Sequence, residues 1–137
     1  MTMAETPFIL DIVTLKKVVF SEEIKSVYAP GKEGYFSILR GHTPFVSGLQ
    51  TGVIRVTKPA GEAFTLATSG GFLMTDGKKV ILLADTAERP EEIDVARARA
   101  AKERAEKRLS ERSSDVDIDR ARGALLRAIN RIKVSGK

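Results

Sequence analysis

From Phe8 to about Asp85 the apolar positions come in short runs broken by Gly, Pro, Asp and Lys, a pattern that predicts consecutive antiparallel strands. Phe8, Leu10 and Ile12 fall on one face of such a strand and Asp11 on the other, and Phe64, Leu66 and Thr68 alternate in the same way. The run Val80 to Asp85 is apolar on both faces, which predicts a central strand buried on each side. Breaks at Pro30-Gly31, Gly41, Gly52, Pro59 to Gly61, Gly70-Gly71 and Asp76-Gly77 space the strands about 8 to 12 residues apart, the rhythm of a sandwich or barrel. Asp76-Gly77 before a lysine has the chemistry of a tight hairpin turn.

Past Pro90 the period changes. No proline follows, glycine is nearly absent, and Ala, Glu, Lys and Arg dominate, so helix propensity is high. Pro90 suits a helix start, and Glu91, Glu92 and Asp94 place negative charge near a helix N-terminus, predicting helix one over 91–112. The Ser-Ser-Asp triplet at 113–115 then offers a break and an N-cap for a second helix over 116–134, which Ser135-Gly136 would end. So short a link makes the two helices an antiparallel hairpin. The fold class is therefore α+β: an N-terminal antiparallel β-sandwich over residues 1–88 and a C-terminal helical hairpin over 89–137.

The hairpin is apolar in an uneven way. Helix two carries a stripe of Ile118, Ala121, Leu125, Ala128 and Ile132, whereas helix one offers chiefly Ala98, Ala101 and Ala105 before Leu109. Small residues allow close approach but bury little area. Ordering a residue costs about 1.5 kcal/mol, and a buried large aliphatic side chain returns only about 1.5 to 3 kcal/mol. Such a hairpin needs docking or a ligand to settle in one posture, which makes it a candidate switch.

Composition narrows the classes of function. The chain has 137 residues, room for one domain and an appendage, and its 42% apolar and 30% charged content is that of a globular protein. No run approaches the roughly 18 apolar residues that cross a bilayer, and the N-terminus lacks a basic stretch followed by an apolar one, so a cytoplasmic location is expected. With no cysteine there is neither a disulfide nor a thiolate nucleophile. The net charge is +5, and residues 91 to 137 hold thirteen basic against nine acidic groups, compared with ten against nine before them. A basic tail suits nucleic acid, an anionic surface, a nucleotide or an acidic protein patch. Aromatic residues for base stacking are absent after Phe72, which argues against a nucleic-acid module.

Catalytic chemistry is poorly supplied. Gly71 to Lys79 superficially resembles a phosphate-binding loop, but its spacing is one residue too long and Lys79 stands where a hydroxyl would hold magnesium. His42 is the single histidine, lies next to Thr43-Pro44, and is read as structural. No nucleophile with a base partner is visible, so no catalysis is expected of this chain alone.

Five segments carry a family resemblance: Pro-Gly-Lys-Glu-Gly (30–34), Ile-Leu-Arg-Gly-His-Thr-Pro (38–44), Leu-Gln-Thr-Gly (49–52), Ser-Gly-Gly-Phe (69–72) and Leu-Ala-Asp-Thr-Ala-Glu (83–88). In order and spacing, with the helical tail behind them, they resemble the epsilon subunits of bacterial F-type ATP synthases. The resemblance implies a rotor subunit at the cytoplasmic face of the cell membrane. Its sandwich would sit against the gamma subunit and the c-ring, its helices would face the catalytic alpha and beta subunits, and its membrane association would come only through the complex. Beside that, Gly31, Gly34, Gly41 and Gly52 are read as serving tight turns or positive φ.

Ile-Asp-Val-Ala-Arg-Ala (93–98) is similar to the nucleotide-binding motif of the ATP-sensing members, and Arg-Ala-Ile-Asn-Arg (127–131) matches their paired arginines on helix two. Asp94 and Arg97 stand at i and i+3, and Arg127 and Arg131 at i and i+4, so each pair shares a helix face. In an antiparallel hairpin the start of helix one lies beside the end of helix two, which allows all four to converge. The resemblance implies ATP as a regulatory ligand, with or without Mg2+. Arg127 and Arg131 would meet phosphate, and Asp94 and Arg97, with Ile93 and Ala98, would hold the adenine or ribose end. Glu88 matches a further residue linked to that site. The bland alternatives are plain surface ion pairs among these groups, worth about 0 to 1 kcal/mol each, and a purely structural stalk adaptor.

Overall fold

The computed structural model describes residues 6–111 and 117–136. Ten strands come first: β1 (Phe8–Val13), β2 (Val18–Ile24), β3 (Ser26–Gly31), β4 (Gly34–Ile38), β5 (Phe45–Leu49), β6 (Gly52–Thr57), β7 (Ala63–Thr68), β8 (Gly71–Thr75), β9 (Lys79–Ala84) and β10 (Ala87–Glu88). A 3-10 turn at Pro90–Glu92 leads to helices α1 (Val95–Glu111) and α2 (Ile118–Ser135).

The strands form one ladder in the order β10-β7-β6-β3-β5-β8-β9-β1-β2, with β4 branching from β3. The ladder is weakest between β3 and β5, where Gly31 opposite Leu49 is the one paired position, and there it folds over into two layers. Phe20 on β2 meets Phe64 on β7 across the layers, their ring centroids 5.3 Å apart. Between the layers lies the core, in which Leu10, Ile12, Ile24, Val27, Ile54, Val56, Leu66, Leu73 and Leu82 are fully enclosed. Each contributes about 1.5 to 3 kcal/mol by leaving water.

Three features differ from the sequence expectation. The sandwich is not wholly antiparallel, because β1 pairs in parallel with β9, Leu10 opposite Val80 and Ile12 opposite Leu82. Parallel pairing joins segments distant in the chain, and no local turn signal announces it. The apolar run of β9 is buried on one face only: Val80, Leu82 and Ala84 point inward, while Leu83 is 43% exposed on the outer face beside Phe72 at 52%. A strand central within its sheet is still bare on one side when no second layer covers that side. Finally, helix one begins at Val95 and not at 91, since Pro90–Glu92 is a 3-10 turn closed by Arg89 N–H donating to Glu92 Oε1 at 3.1 Å. Asp94 is the N-cap instead, its Oδ1 accepting from Arg97 N–H at 3.0 Å.

The triplet 113–115 lies outside the described residues. The N-cap of α2 is Asp117, whose Oδ1 accepts from Arg120 N–H at 3.0 Å, and Gly136 ends the helix in the left-handed region at φ 73°. Of the glycines singled out above, Gly34 and Gly41 take positive φ of 137° and 85°. Gly52 serves close approach: a Cβ there would stand 2.6 Å from the Tyr35 hydroxyl and 2.7 Å from Pro30 Cβ. His42 uses Nδ1 in a 2.7 Å hydrogen bond with Thr43 O and sets its ring edge against Phe45.

Helix α2 rests on β6, β7 and the 3-10 turn, and α1 packs on α2. The fully buried residues of the two helices are all alanines: Ala98 and Ala105 on α1, Ala121 and Ala128 on α2. Leu125 and Ile132 are half-buried, and Ile118, at the start of the predicted stripe, is exposed.

On the outer face of β1, the Asp11 carboxylate accepts from the Ser21 hydroxyl at 2.6 Å and pairs with Lys79 Nζ at 2.9 Å. The Ser21 bond first, and the lysine second, hold its pKa below the ordinary carboxylate value. A depressed folded pKa gives stability that is present above the unfolded value of about 3.9 and is lost as pH falls through the folded one. Replacing Asp11→Asn should therefore destabilise the protein at neutral pH, with the gap to wild type closing below about pH 4. Urea midpoints measured at neutral and acid pH check this, and a gap that stays constant or widens in acid contradicts it.

Candidate functional site

The end of the sheet and the hairpin enclose a cleft of ≈ 660 Å³. Its floor is the β7–β8 and β9–β10 region, including Thr68, Ser69, Asp85, Thr86 and Glu88. One wall is helical, with Arg97 from α1 and Arg127, Asn130 and Arg131 from α2. The turn between β1 and β2, Thr14 to Lys17, also lines the cleft, with Glu92 of the 3-10 turn 3.7 Å from Lys17 Nζ.

Each element is held by local chemistry. Thr68 Oγ1 donates to Gly70 O at 3.1 Å and accepts from Gly70 N–H at 3.2 Å, which shapes the sharp exit from β7. Ser69 Oγ and Thr86 Oγ1 share a hydrogen bond of 2.8 Å across the floor. Strand β10 pairs with β7, Ala87 opposite Thr68 and Glu88 opposite Ala67, and so delivers Glu88 to the helices. The β1–β2 turn is closed by Thr14 N–H donating to Lys17 O at 2.9 Å, while Thr14 Oγ1 accepts from the N–H groups of Lys16 and Lys17 at 3.3 Å each.

Two side chains of α2 fasten the hairpin to the sheet. Arg131 Nη2 pairs with Glu88 Oε2 at 2.8 Å, with both side chains part-buried. Asn130 Nδ2 donates to Gly52 O at 2.7 Å, and the N–H of the same peptide unit, on Val53, donates to the Tyr35 hydroxyl at 3.0 Å. Arg131 Nε is buried with no hydrogen-bond partner among the described residues, so this guanidinium retains donor capacity beside the cleft. Arg127 extends back along its own helix: a Cβ at Gly123 would lie 3.2 Å from Arg127 Nη1.

Of the seven site residues expected from sequence, Glu88, Arg97, Arg127 and Arg131 are brought together as walls of this one cleft. Ile93 and Ala98 are buried and are not among its walls. Asp94 is exposed, also outside the lining, and its carboxylate is occupied by the α1 cap. The sequence reading missed Lys16, Lys17, Asn130 and the hydroxyls of Thr14, Ser69 and Thr86. A pair of lysines in a turn is an ordinary solvated feature until strand pairing carries that turn to the hairpin.

The charge of the lining is positive: Lys16, Lys17, Arg97, Arg127 and Arg131 are five cations against the three carboxylates Asp85, Glu88 and Glu92. Guanidinium groups and an excess of positive charge suit a phosphate-bearing ligand. Among the described residues no group of three or more His, Cys, Asp or Glu is placed to hold a metal ion.

The Asn130 contact generates a stability prediction. A neutral hydrogen bond contributes about 1 kcal/mol, a factor of about five in a local equilibrium. In Asn130→Ala, amide exchange in α2 should speed by roughly that factor while β8 and β9 keep their protection. Unchanged exchange in α2, measured by mass spectrometry, would remove the fastening role.

Comparison with known proteins agrees with this architecture. Residues 7–90 match the family described as "ATP synthase, Delta/Epsilon chain, beta-sandwich domain", and residues 91–136 match "ATP synthase, Delta/Epsilon chain, long alpha-helix domain". The chain is 52% identical over 126 residues to the "ATP synthase epsilon chain" of Desulforamulus reducens, covering 92% of this chain and 95% of that one. It is 50% identical over 128 residues to the protein of the same description from Pelotomaculum thermopropionicum, covering 93% and 95%. Among solved structures, a chain of the Euglena gracilis mitochondrial ATP synthase "OSCP/F1/c-ring" assembly aligns with a TM-score of 0.78 at 25% identity, over 88% of this chain and 76% of that chain. A two-layer β fold carrying a docked helical pair, with both family domains matched end to end, places this chain in the epsilon branch of the ATP synthase delta/epsilon family.

Proposed function

We propose that this chain is a non-catalytic rotor subunit of an F-type ATP synthase whose hairpin restrains ATP hydrolysis and is held down on the sandwich by bound ATP. The observation that carries the reading is the cleft itself. Its lining comes from the sandwich and from both helices, including Glu88, Arg97, Arg127 and Arg131, so an occupant would bridge elements that otherwise separate. Arg127 and Arg131 would receive phosphate oxygens in bidentate fashion, and Arg97 would take the remaining polar end. Ile93, Asp94 and Ala98 would act at one remove, by fixing the start of α1 against the sheet.

The energetics suit a switch. An alanine seam gives the hairpin little cohesion, and a ligand at 100 times its dissociation constant adds about 2.7 kcal/mol to the bound posture. A preference of that size reverses a small conformational bias. With ATP scarce, the helices would extend toward the catalytic head and set their basic faces against acidic segments of the beta subunits. Leu126 is 60% exposed and Ile129 43% exposed in the docked posture, which leaves apolar surface on α2 for such a contact.

The outer face of the sandwich supports a rotor position. Val46, Phe72, Leu83 and Ile9 are exposed on the outward side of adjoining strands β5, β8, β9 and β1. A cluster of exposed apolar groups on neighbouring strands marks an interaction surface, and we assign it to the gamma subunit, with the c-ring beyond. The location that follows is the cytoplasmic face of the cell membrane, reached through the complex. Among the described residues no helix is long and apolar enough to cross a membrane.

The second reading, a structural adaptor without nucleotide sensing, is favoured by the direct fastening of α2 through Asn130 and Arg131. Titration with ATP in a calorimeter separates the two. Sensing predicts saturable heat and slowed amide exchange in α2. It also predicts a loss of roughly ten- to a hundredfold in ATP affinity for Arg127→Ala, the effect of a charged hydrogen-bonding group. No heat and no added protection at about 1 mM ATP would leave the adaptor.

A further inference from the structure

The positive balance of the cleft has one source. Of its five cations, the three arginines are matched in number by Asp85, Glu88 and Glu92, so the excess of two is supplied by Lys16 and Lys17. These lysines belong to the β1–β2 turn, far in sequence from the hairpin, yet they line the same cleft as the arginines. Thr14 ties the backbone of this turn through four hydrogen bonds to Lys16 and Lys17. Lys17 Nζ stands 3.7 Å from Glu92 Oε2, and its side chain is 62% exposed. A pair that open to water is worth about 0 to 1 kcal/mol and yields easily to a stronger anion.

Resting on the nucleotide reading above, we propose that the β1–β2 turn is the second jaw of the site, with Lys16 and Lys17 meeting the terminal phosphates of a nucleoside triphosphate. A terminal phosphate carries roughly −1.5 to −2 charges near neutral pH, so each added phosphate increases what the lysines contribute. Without them the lining carries no net charge, and the arginines meet phosphate with no cationic excess to favour a triphosphate over a monophosphate. With them the site discriminates by charge. Lys17 exchanges Glu92 for phosphate as the ligand enters, and this ties the sandwich turn to the 3-10 turn that starts the hairpin. The cleft therefore reads phosphate number on its sheet side and closes the helices on its other side.

The test uses the full chain and calorimetric titration with ATP and AMP. In Lys16→Ala/Lys17→Ala, ATP affinity should fall roughly tenfold or more while AMP affinity stays within about twofold, and the salt dependence of ATP binding should weaken. Both lysines are exposed, so the variant should keep the wild-type unfolding midpoint. Glu92→Gln preserves an acceptor for Arg89 N–H but removes the competing charge, and it should tighten ATP by roughly two- to fivefold. Equal losses for ATP and AMP, or no loss for either, overturn the proposal while leaving nucleotide binding intact. A wild-type chain that binds neither nucleotide overturns the proposal and the reading beneath it together. No gain from Glu92→Gln overturns the exchange.

Discussion

The two helices of the tail meet through alanine, and the rest of the hairpin's behaviour depends on that seam. Ala98 and Ala105 on α1 and Ala121 and Ala128 on α2 are the buried residues of the packed helices, and side chains so small permit close approach but remove little apolar surface from water. The sandwich is the opposite case. Eleven large aliphatic side chains are fully buried in it, enough to make it the fixed body against which the hairpin is placed. The hairpin's position is consequently set by a few polar contacts, the Asn130 amide on the Gly52 carbonyl and the Arg131–Glu88 pair. Polar contacts of this kind exchange readily with water and with competing ligands, which bulk apolar contact does not.

That division of labour explains where the cleft lies. A docked helix that buried a broad apolar face on the sheet would fill the space between them. Here α2 lies on β6 and β7, with Asn130 bonded to Gly52 of β6 and Arg131 to Glu88 of β10, and the gap beyond is lined by arginine, hydroxyl and carboxylate groups. The site and the weak joint are one feature. Sheet, turn and both helices all contribute to its lining, which is the basis of the switch proposed above. The same economy appears on the far side of the sandwich, where Phe72 and Leu83 face outward over a layer with no cover of its own.

Much of the fold was legible in the chain. The alternation of Phe8, Leu10 and Ile12 about Asp11, the Asp76-Gly77 turn and the change of period at Pro90 each encode local structure through neighbours a few residues away. The paired spacings of Asp94 with Arg97 and Arg127 with Arg131 were equally visible. Where the reading slipped, the cause was local as well: acidic residues at 91–94 look like the first turn of a helix, yet Arg89 and Glu92 close a 3-10 turn there and Asp94 becomes the cap. A cap and a first turn share composition, and geometry alone separates them.

By itself, then, the sequence determined the kinds of elements, their order, and the residues that carry charge on the tail, since each of these follows from period and propensity within a short window. Tertiary structure alone decided that β1 runs parallel to β9, that one face of β9 stays bare, and that the Lys16–Lys17 turn lines one cleft with Arg97 and Arg131. The physical reason is that strand pairing and layer closure join segments far apart in the chain. The proximity of two side chains in that case is a property of the closed sheet and leaves no mark in the spacing of either one.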